Sequence, residues 1–400
     1  MRLRLLIAIV TTSLIVMPMA SAVVTIPSEI ARVFGLVSDR DSLAAPAMIL
    51  IDRSTGEVIY QRDSGSARRP ASVMKILSAS SVLEYMDPES TFATTMYLGK
   101  KSNSVVISGS LDPWMTSSAV SAKRDSRVWS PYLANKAIAA AQERMGKKPT
   151  TITIYYNGLF SADVVNIRRT LQVKGIAAYI KQVDSKLIPA LIGEEVVTVN
   201  STSVAKMLKF AVLWSDNLLS ERLARLAARA AGNSFDEKGV DLTFHALLQK
   251  LEIDSSQLVV GDGSGLSEKN RVSAELIASL LVKTRLDPKF QLLYDSLPVS
   301  GISGTLADRF TKDAPAGVGL IHAKTGTLNG TVSLAGFVTA ADREYVFVGI
   351  ADRLPRTSLG RSRARSSFDR ILSLIASPKI LSEIQFSETQ TTQSSSSSLP

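Results

Sequence analysis

Strand-forming sequence sits at both ends of this 400-residue chain, with a long mixed region between. Near the start, AMILIDRSTGEVIYQRD (47–63) holds two β-rich runs around Ser54-Thr55-Gly56, the pattern of a hairpin. Near the end, GLIHAKTGTL, VSLAGFVTAAD and EYVFVGIAD supply three more, parted by Asn329-Gly330 and Asp342-Arg343. Neither group alone is wide enough to stand as a stable sheet, so the two ends are expected to pair into one five-stranded antiparallel sheet. This restricts the fold severely. The domain that carries the sheet must be discontinuous, with everything from Tyr85 to Val318 folded onto it or inserted into it.

The middle divides in two. Residues 92–195, with VVISGSLDPWM and AIAAAQERMGKKPTTITIYYN, mix helical and strand patterns and read as an inserted α/β domain. Residues 200–290 are mainly helical, and RSRARSSFDRILSLIA (361–376) is an amphipathic helix. With 45% hydrophobic residues the chain can bury a core of this size. The expected class is α+β: a five-stranded antiparallel sheet flanked by helices, in a domain formed by 23–91 and 196–380 and interrupted by the insertion.

The two termini read as separate from the fold. MRLRLLIAIVTTSLIVMPMASA has Arg2 and Arg4, an apolar run, Pro18 and then Ala20-Ser21-Ala22, the order of a secretory signal peptide over 1–22. A membrane anchor is the competing reading, but the run is shorter than a spanning helix and Pro18 ends it. With no cysteine, disulfides and a lipid-modified thiol are excluded. The tail SETQTTQSSSSSLP (387–400) is polar, low in complexity and expected to be disordered. The net charge of +10 suits a polyanionic surface such as a cell wall, or simply a solvated basic face. The densest basic run, RLPRTSLGRSRAR (353–365), has no interleaved aromatic residue to stack on bases, so nucleic acid is not an expected partner.

Elimination narrows the chemistry. His245 and His322 are the only histidines and there is no Cys, so a thiol nucleophile is impossible and no metal-ligand spacing occurs. No metal and no cofactor are called for. The segment RRPASVMKIL (68–77) offers a different base. Pro70 suits a helix start, which places Ser72 in the first turn, where backbone N–H groups are unpaired. An i, i+3 pair shares a face, so the Lys75 amine can reach the Ser72 hydroxyl. To accept its proton near neutrality, Lys75 must lose about 3 pH units of basicity, or about 4 kcal/mol, through burial and a neighbouring cation. Ser203-Val204-Ala205-Lys206 has the same spacing but no preceding proline, and spacing alone does not decide between the two.

Two triplets weigh in. Ser215-Asp216-Asn217 is a polar interruption of the helical middle, and its ordinary reading is a helix N-cap. Lys324-Thr325-Gly326 lies on the first C-terminal strand, where alternation puts His322, Lys324, Gly326 and Leu328 on one face. Gly326 removes a side chain where another group must approach the backbone closely. Ser-x-x-Lys, Ser-Asp-Asn and Lys-Thr-Gly in this order resemble the motif set of penicillin-binding proteins and class A β-lactamases. Further stretches, GDGSGLSEKNRVS (261–273), SDNLLSERLAR, HAKTGTLNGTVSLAGFV and ISGSLDPW (107–114), are similar to the D-alanyl-D-alanine carboxypeptidase/endopeptidase family of low-molecular-mass penicillin-binding proteins. The resemblance runs from about residue 40 to 376, with an insertion that reads shorter than in fuller members.

That resemblance implies a serine β-lactamase/transpeptidase-like fold and an acyl-enzyme on Ser72, with peptidoglycan stem peptides as substrates and β-lactams as covalent inhibitors. It implies Lys75 as general base, Ser215 as proton relay to the leaving amine, and Lys324 as a cation that depresses the Lys75 pKa. Asn217, Lys324, Thr325, Gly326 and Thr327 form the implied substrate-binding set, the two threonines receiving the terminal carboxylate. The N–H groups of Ser72 and Thr327 form the implied oxyanion hole. Three other readings compete. A class A β-lactamase resembles its relatives in a Glu-x-x-Leu-Asn element, and the comparable LEIDSSQL (251–258) lacks it. A catalytically dead wall-binding protein would keep the motifs without turnover. A dinucleotide loop at LVVGDGSGLS lacks the G-x-G-x-x-G spacing. His322 is expected to be a strand residue, and Asp112 a substrate contact at most.

Overall fold

The computed structural model describes residues 27–38, 41–340 and 343–376. The expected signal peptide, 1–22, and the expected disordered tail, 387–400, lie outside them. The chain begins with α1 (Pro27–Ser38), the hairpin strands β1 (Ala47–Asp52) and β2 (Val58–Arg62), and α2 (Lys75–Tyr85). There follow β3 (Ala93–Gly99), β4 (Ser104–Gly109), α3 (Ala119–Asp125), α4 (Ser130–Met145), β5 (Thr151–Asn157), α5 (Ser161–Val173), β6 (Ala177–Gln182), α6 (Ile188–Leu191) and β7 (Ile192–Asn200). A helical stretch holds α7 (Val204–Leu213), α8 (Asn217–Ala230), α9 (Glu237–Lys250), α10 (Ala274–Arg285) and α11 (Gln291–Asp295). The chain ends in β8 (Ile321–Leu328), β9 (Thr331–Ala340), β10 (Arg343–Ala351) and α12 (Ser358–Ala376).

The two ends do pair. One sheet has the order β2-β1-β10-β9-β8 and is antiparallel throughout, with Ala47 opposite Ile350 and Asp52 opposite Tyr345 where the N-terminal hairpin meets β10. Its three central strands, β1, β9 and β10, are buried along nearly their whole length because both faces are covered. Alternation sends Ile49, Phe337, Val346 and Val348 to the core shared with α2 and α7 to α11. Leu50, Leu334, Val338 and Phe347 go to the core beneath α1 and α12. Helix α12 buries Ala364, Phe368, Ile371, Leu372 and Ile375, a stripe at helical spacing, and exposes its arginine-rich side. Strand β8 lies at the sheet edge, so both its faces and one backbone edge reach the neighbouring loops.

A second sheet, β6-β5-β4-β3-β7, lies between the two halves of the first in sequence. Strands β4, β5 and β6 are parallel, and α4 and α5 make the crossovers that parallel pairing requires. Ile107, Leu133, Ile152, Ile154, Ile167 and Leu171 fill its core. Strand β7 returns antiparallel beside β3, with Ala93 opposite Asn200, so the chain enters and leaves this sheet on neighbouring strands. It therefore runs past residue 195, because pairing along β3 continues to Asn200. Arg222 of α8 ties this part to the helices. Its Nη1 donates to the Pro113 carbonyl at 2.9 Å, lies 4.0 Å from the Asp163 carboxylate, and its guanidinium sits 4.0 Å above the Phe160 ring. Among the described residues no helix is long and apolar enough to cross a membrane.

Candidate active site

Ser72 lies in a 3-10 turn, Ala71–Met74, that runs directly into α2 at Lys75, rather than in the first turn of an α-helix. The early N–H groups lack intrahelical partners in either helix type, so the expected donor at Ser72 is retained. Pro70 opens the turn at φ −76°, and Ala71 follows at φ +50°. That left-handed alanine costs about 1–2 kcal/mol and is held by its surroundings. Gly326 of β8 has no Cβ to strike the Pro70 oxygen, which would lie 2.8 Å away, or the Ala71 Cβ, at 3.1 Å. Gly265 presses against the Ala71 carbonyl from the other side, at φ +83°. Ser333 Oγ donates to the Pro70 carbonyl at 2.6 Å. The turn that carries Ser72 is thus clamped between the sheet edge and the 261–273 loop.

Lys75 is 1% exposed, and its Nζ has three oxygen neighbours. These are Ser72 Oγ at 2.9 Å, Asn217 Oδ1 at 2.7 Å and the Ser264 carbonyl at 2.6 Å. Burial pulls its pKa down from 10.5 to about 8, against the carboxylates of Asp262 and Asp216, which favour its charge. The Ser264 carbonyl is placed by a loop wound on Asp262. That carboxylate accepts from the N–H groups of Gly265 (2.7 Å) and Ser267 (2.9 Å) and from Asn270 Nδ2 (2.9 Å). Gly263 N–H in turn donates to Glu221 of α8 at 2.7 Å.

The Ser-Asp-Asn triplet forms the turn between α7 and α8. Ser215 takes φ +58°, Asp216 caps α8 by accepting the Leu219 N–H at 2.8 Å, and Asn217 opens the helix facing Lys75. Asp216 is thus the helix cap of the ordinary reading, and Asn217 beside it accepts from Lys75. Ser203, the competing match, is itself a helix cap. Its Oγ accepts the backbone N–H of Lys206 at 3.4 Å, and the Lys206 side chain is exposed. The S-x-x-K pair with a buried amine is Ser72 and Lys75.

A family model described as D-Ala-D-Ala carboxypeptidase 3 (S13) matches residues 33–125 and 162–373, more than half of the chain. The chain belongs to this family. The resemblance carried by the three motifs is borne out. Carboxypeptidase DacB of Mycolicibacterium smegmatis is 34% identical to this S13-family chain over 151 residues, 37% of the chain and 33% of that protein. The match therefore spans about a third of that relative's length. A carboxypeptidase of Mycobacterium tuberculosis is 27% identical over 374 residues, 81% of the chain and 80% of that protein. Penicillin binding protein 4 (dacB) from Haemophilus influenzae, also solved with a β-lactam, has the same fold. Its TM-score is 0.65 at 17% identity, over 84% of this chain and 97% of that one.

In this S13-family chain a cavity of about 510 Å³ opens over Ser72, with Ser215 and Asn217 on one wall. Ser215 makes no side-chain hydrogen bond among the described residues. The opposite wall holds Thr305, Arg309, Thr325, Thr327 and Arg365. Thr305 and Thr325 share a hydroxyl hydrogen bond of 2.7 Å, and Arg365 Nη2 donates to Thr327 Oγ1 at 3.2 Å. Thr305, Arg309, Arg365 and the Ser264 carbonyl were absent from the sequence-derived set. Arg365 stood within the basic run 353–365, where its spacing marked it as no different from its neighbours.

Two expected substrate contacts lie behind this wall. Lys324 is fully buried, and Gly326 packs on the nucleophile turn. Among the described residues the Lys324 Nζ donates only to the Thr325 carbonyl (2.9 Å), and burial with the Lys75 charge beside it pushes its ammonium well below the usual range. Repulsion between the two amines is mutual, but Lys75 keeps its acceptors and the nearby Asp262 and Asp216. Burial is the largest cause of the lowered Lys75 pKa. His322 stacks on Tyr294 with ring centroids 4.9 Å apart, away from the cavity, as a strand residue. Asp112 is buried at the junction with Arg127 and Arg222, its pKa raised to about 6 by burial, and it does not line the cavity.

Proposed function

We propose that this chain is a serine D-alanyl-D-alanine carboxypeptidase that cleaves the D-Ala-D-Ala bond of peptidoglycan stem peptides through an acyl-enzyme on Ser72. One observation carries this reading: of the three oxygens around the Lys75 Nζ, two cannot donate. A neutral amine has two N–H bonds and one lone pair. Donating to Asn217 Oδ1 and to the Ser264 carbonyl leaves the lone pair for the Ser72 hydroxyl at 2.9 Å. The deprotonated lysine is thereby aimed at the one proton it has to take.

In this reading Ser72 Oγ attacks the scissile carbonyl carbon while its proton passes to Lys75. The oxyanion is received by the N–H groups of Ser72 and Thr327, each worth about 3 kcal/mol. Support for the second donor comes from the sheet edge. Ala323 N–H turns away from β9 to the Pro298 carbonyl at 2.9 Å, and alternation points the Thr325 and Thr327 N–H groups the same way. Ser215 relays a proton to the leaving D-alanine nitrogen as the C–N bond breaks. Water activated by Lys75 then hydrolyses the ester and restores Ser72. The Asn217 Nδ2 group is left to meet the substrate amide, since its Oδ1 is taken by Lys75. The hydroxyls of Thr325 and Thr327 receive the carboxylate. Lys324 and Gly326 support the wall from behind.

We read residues 92–200 as a domain inserted into the catalytic one, and the segment 1–22 as directing export to the cell-wall space. Penicillin, acting as a substrate mimic, acylates Ser72 and is released slowly. The test is incubation with a stem pentapeptide. Release of D-alanine and tetrapeptide is expected, together with a penicillin adduct on the Ser72 peptide that is absent from Ser72→Ala. An intact pentapeptide, or an adduct on Ser203, overturns the reading, and rapid multiple turnover of penicillin makes the chain a β-lactamase instead.

A further inference from the structure

The positive charge of this chain is unevenly placed. Residues 92–200 hold fourteen Lys and Arg against seven Asp and Glu, a balance of +7 out of the chain's +10. Topology gathers part of that charge. Strands β4, β5 and β6 run parallel, so the turns that precede them lie at one end of the second sheet. Those turns carry Lys100, Lys101, Lys147, Lys148 and Lys174, all exposed. Arg144 of α4 donates to the Lys100 and Lys101 carbonyls at 3.2 and 3.3 Å, and Lys148 Nζ reaches the Lys174 carbonyl at 3.3 Å. The C-terminal dipoles of α4 and α5 offset part of the repulsion between these six bases. Among the described residues no carboxylate pairs with any of them. The other end of the sheet meets α8, where Arg222 contacts Pro113 and Phe160, so the basic end points away from that junction.

A groove of about 550 Å³ lies along the edge strand β6, which starts at this basic end. Thr153 stands opposite Tyr179 and Tyr155 opposite Lys181, so the four share the sheet face turned from Ile152, Ile154 and Ile180. Arg168 and Gln172 of α5 complete the lining. Tyr179 is 67% exposed, and Arg168 and Lys181 are exposed without an ion-pair partner among the described residues. A phenol ring offers a flat apolar face to the C–H face of a sugar, and a cation beside it meets an acidic substituent. We propose that this groove and the basic end beside it bind an acidic polysaccharide of the cell wall. Its sugar rings lie on Tyr155 and Tyr179, and its carboxylates or phosphates meet Arg168, Lys181 and the lysine-bearing turns. A flat lipid surface does not enter a groove. Nucleic-acid bases also stack on tyrosine, and the choice of sugars over bases rests on the stem-peptide reading above, since stem peptides hang from a wall polysaccharide.

The test measures binding of polygalacturonate, neutral dextran, single-stranded DNA and phosphatidylglycerol vesicles to the full chain. Polygalacturonate is expected to bind, more weakly as salt rises, and at least ~10-fold more tightly than dextran. Arg168→Gln combined with Lys181→Gln should weaken binding at least ~10-fold and flatten its salt dependence. Tyr179→Ala should weaken it roughly 10-fold and leave the salt dependence unchanged, because a ring contact releases no counterions. All three side chains are exposed, so the variants should fold and should still be acylated by penicillin at Ser72. A wild type that does not bind polygalacturonate, or that binds dextran equally, overturns the proposal. So does tighter binding to the DNA or the vesicles, or an unchanged affinity in either folded variant. Penicillin labelling keeps the two readings apart. Labelled Ser72 without polymer binding refutes the groove alone, and polymer binding by a chain that penicillin does not label refutes the nucleophile alone.

Discussion

The pH dependence of Ser72 acylation follows from the surroundings of Lys75. Burial lowers its pKa from 10.5 to about 8. At pH 7 about 9% of the chains then carry the neutral amine, roughly 300-fold more than with an ordinary lysine, equivalent to about 3 kcal/mol of barrier. The second-order rate of penicillin acylation, followed by stopped-flow fluorescence, should therefore rise about tenfold per pH unit below 8 and level off above it. Asp216→Asn sharpens the test. The Asp216 carboxylate favours the charged lysine, and asparagine caps a helix as well as aspartate does, so the substitution removes charge while sparing α8. The midpoint should move to lower pH and the rate at pH 7 should increase, with a ceiling of about 11-fold set by the neutral fraction already present. The sign in stability is also determined. Because the folded state holds fewer protons on Lys75 than the unfolded chain, stability gains from this group as pH rises from about 8 towards 10.5. A rate independent of pH between 6 and 9, or an Asp216→Asn midpoint at higher pH, would refute Lys75 as the base.

Gly326→Ala drives a Cβ into Ser333 Oγ, which donates to the Pro70 carbonyl, and to 2.8 Å from the Pro70 oxygen itself, so the Ser72 turn must shift. Acylation should drop at least tenfold and stability by about 2 kcal/mol, read from rates and thermal melts, and normal acylation would show that the close approach is dispensable. Arg222→Gln removes the donor to the Pro113 carbonyl and the partner of Asp163, both buried. Urea unfolding should show a loss of about 3 kcal/mol, and a loss under 1 kcal/mol would mean that this junction is not held by charge. Ser203→Ala should cost about 1 kcal/mol as a lost helix cap and leave penicillin acylation unchanged. A large fall in acylation would reinstate the competing motif.

The site was legible only where its logic is local. Ser72 and Lys75 are three apart and must share a face, and Gly326 announced a close approach that the Pro70 carbonyl and Ala71 fill. Ser203 and Lys206 have the same spacing, yet one caps a helix and the other is exposed, and no local pattern separates the pairs. Lys324 showed the opposite difficulty. Its position on the strand was readable, but its burial behind Thr325 and its lack of a carboxylate depend on how β8 meets α2.

The order of apolar and turn residues along the chain sufficed to require a five-stranded sheet from both ends, because edge strands with apolar faces must find partners and the period of two assigns each side chain a face. The protonation state of Lys75 was decided by folding. The carbonyl that orients its amine belongs to Ser264, 189 residues away. The acceptor from Asn217 arrives on another helix. Arg365 meets Thr327 only because α12 packs back across the sheet. Desolvation and charge depend on distance in space, which the spacing of residues along a chain does not encode.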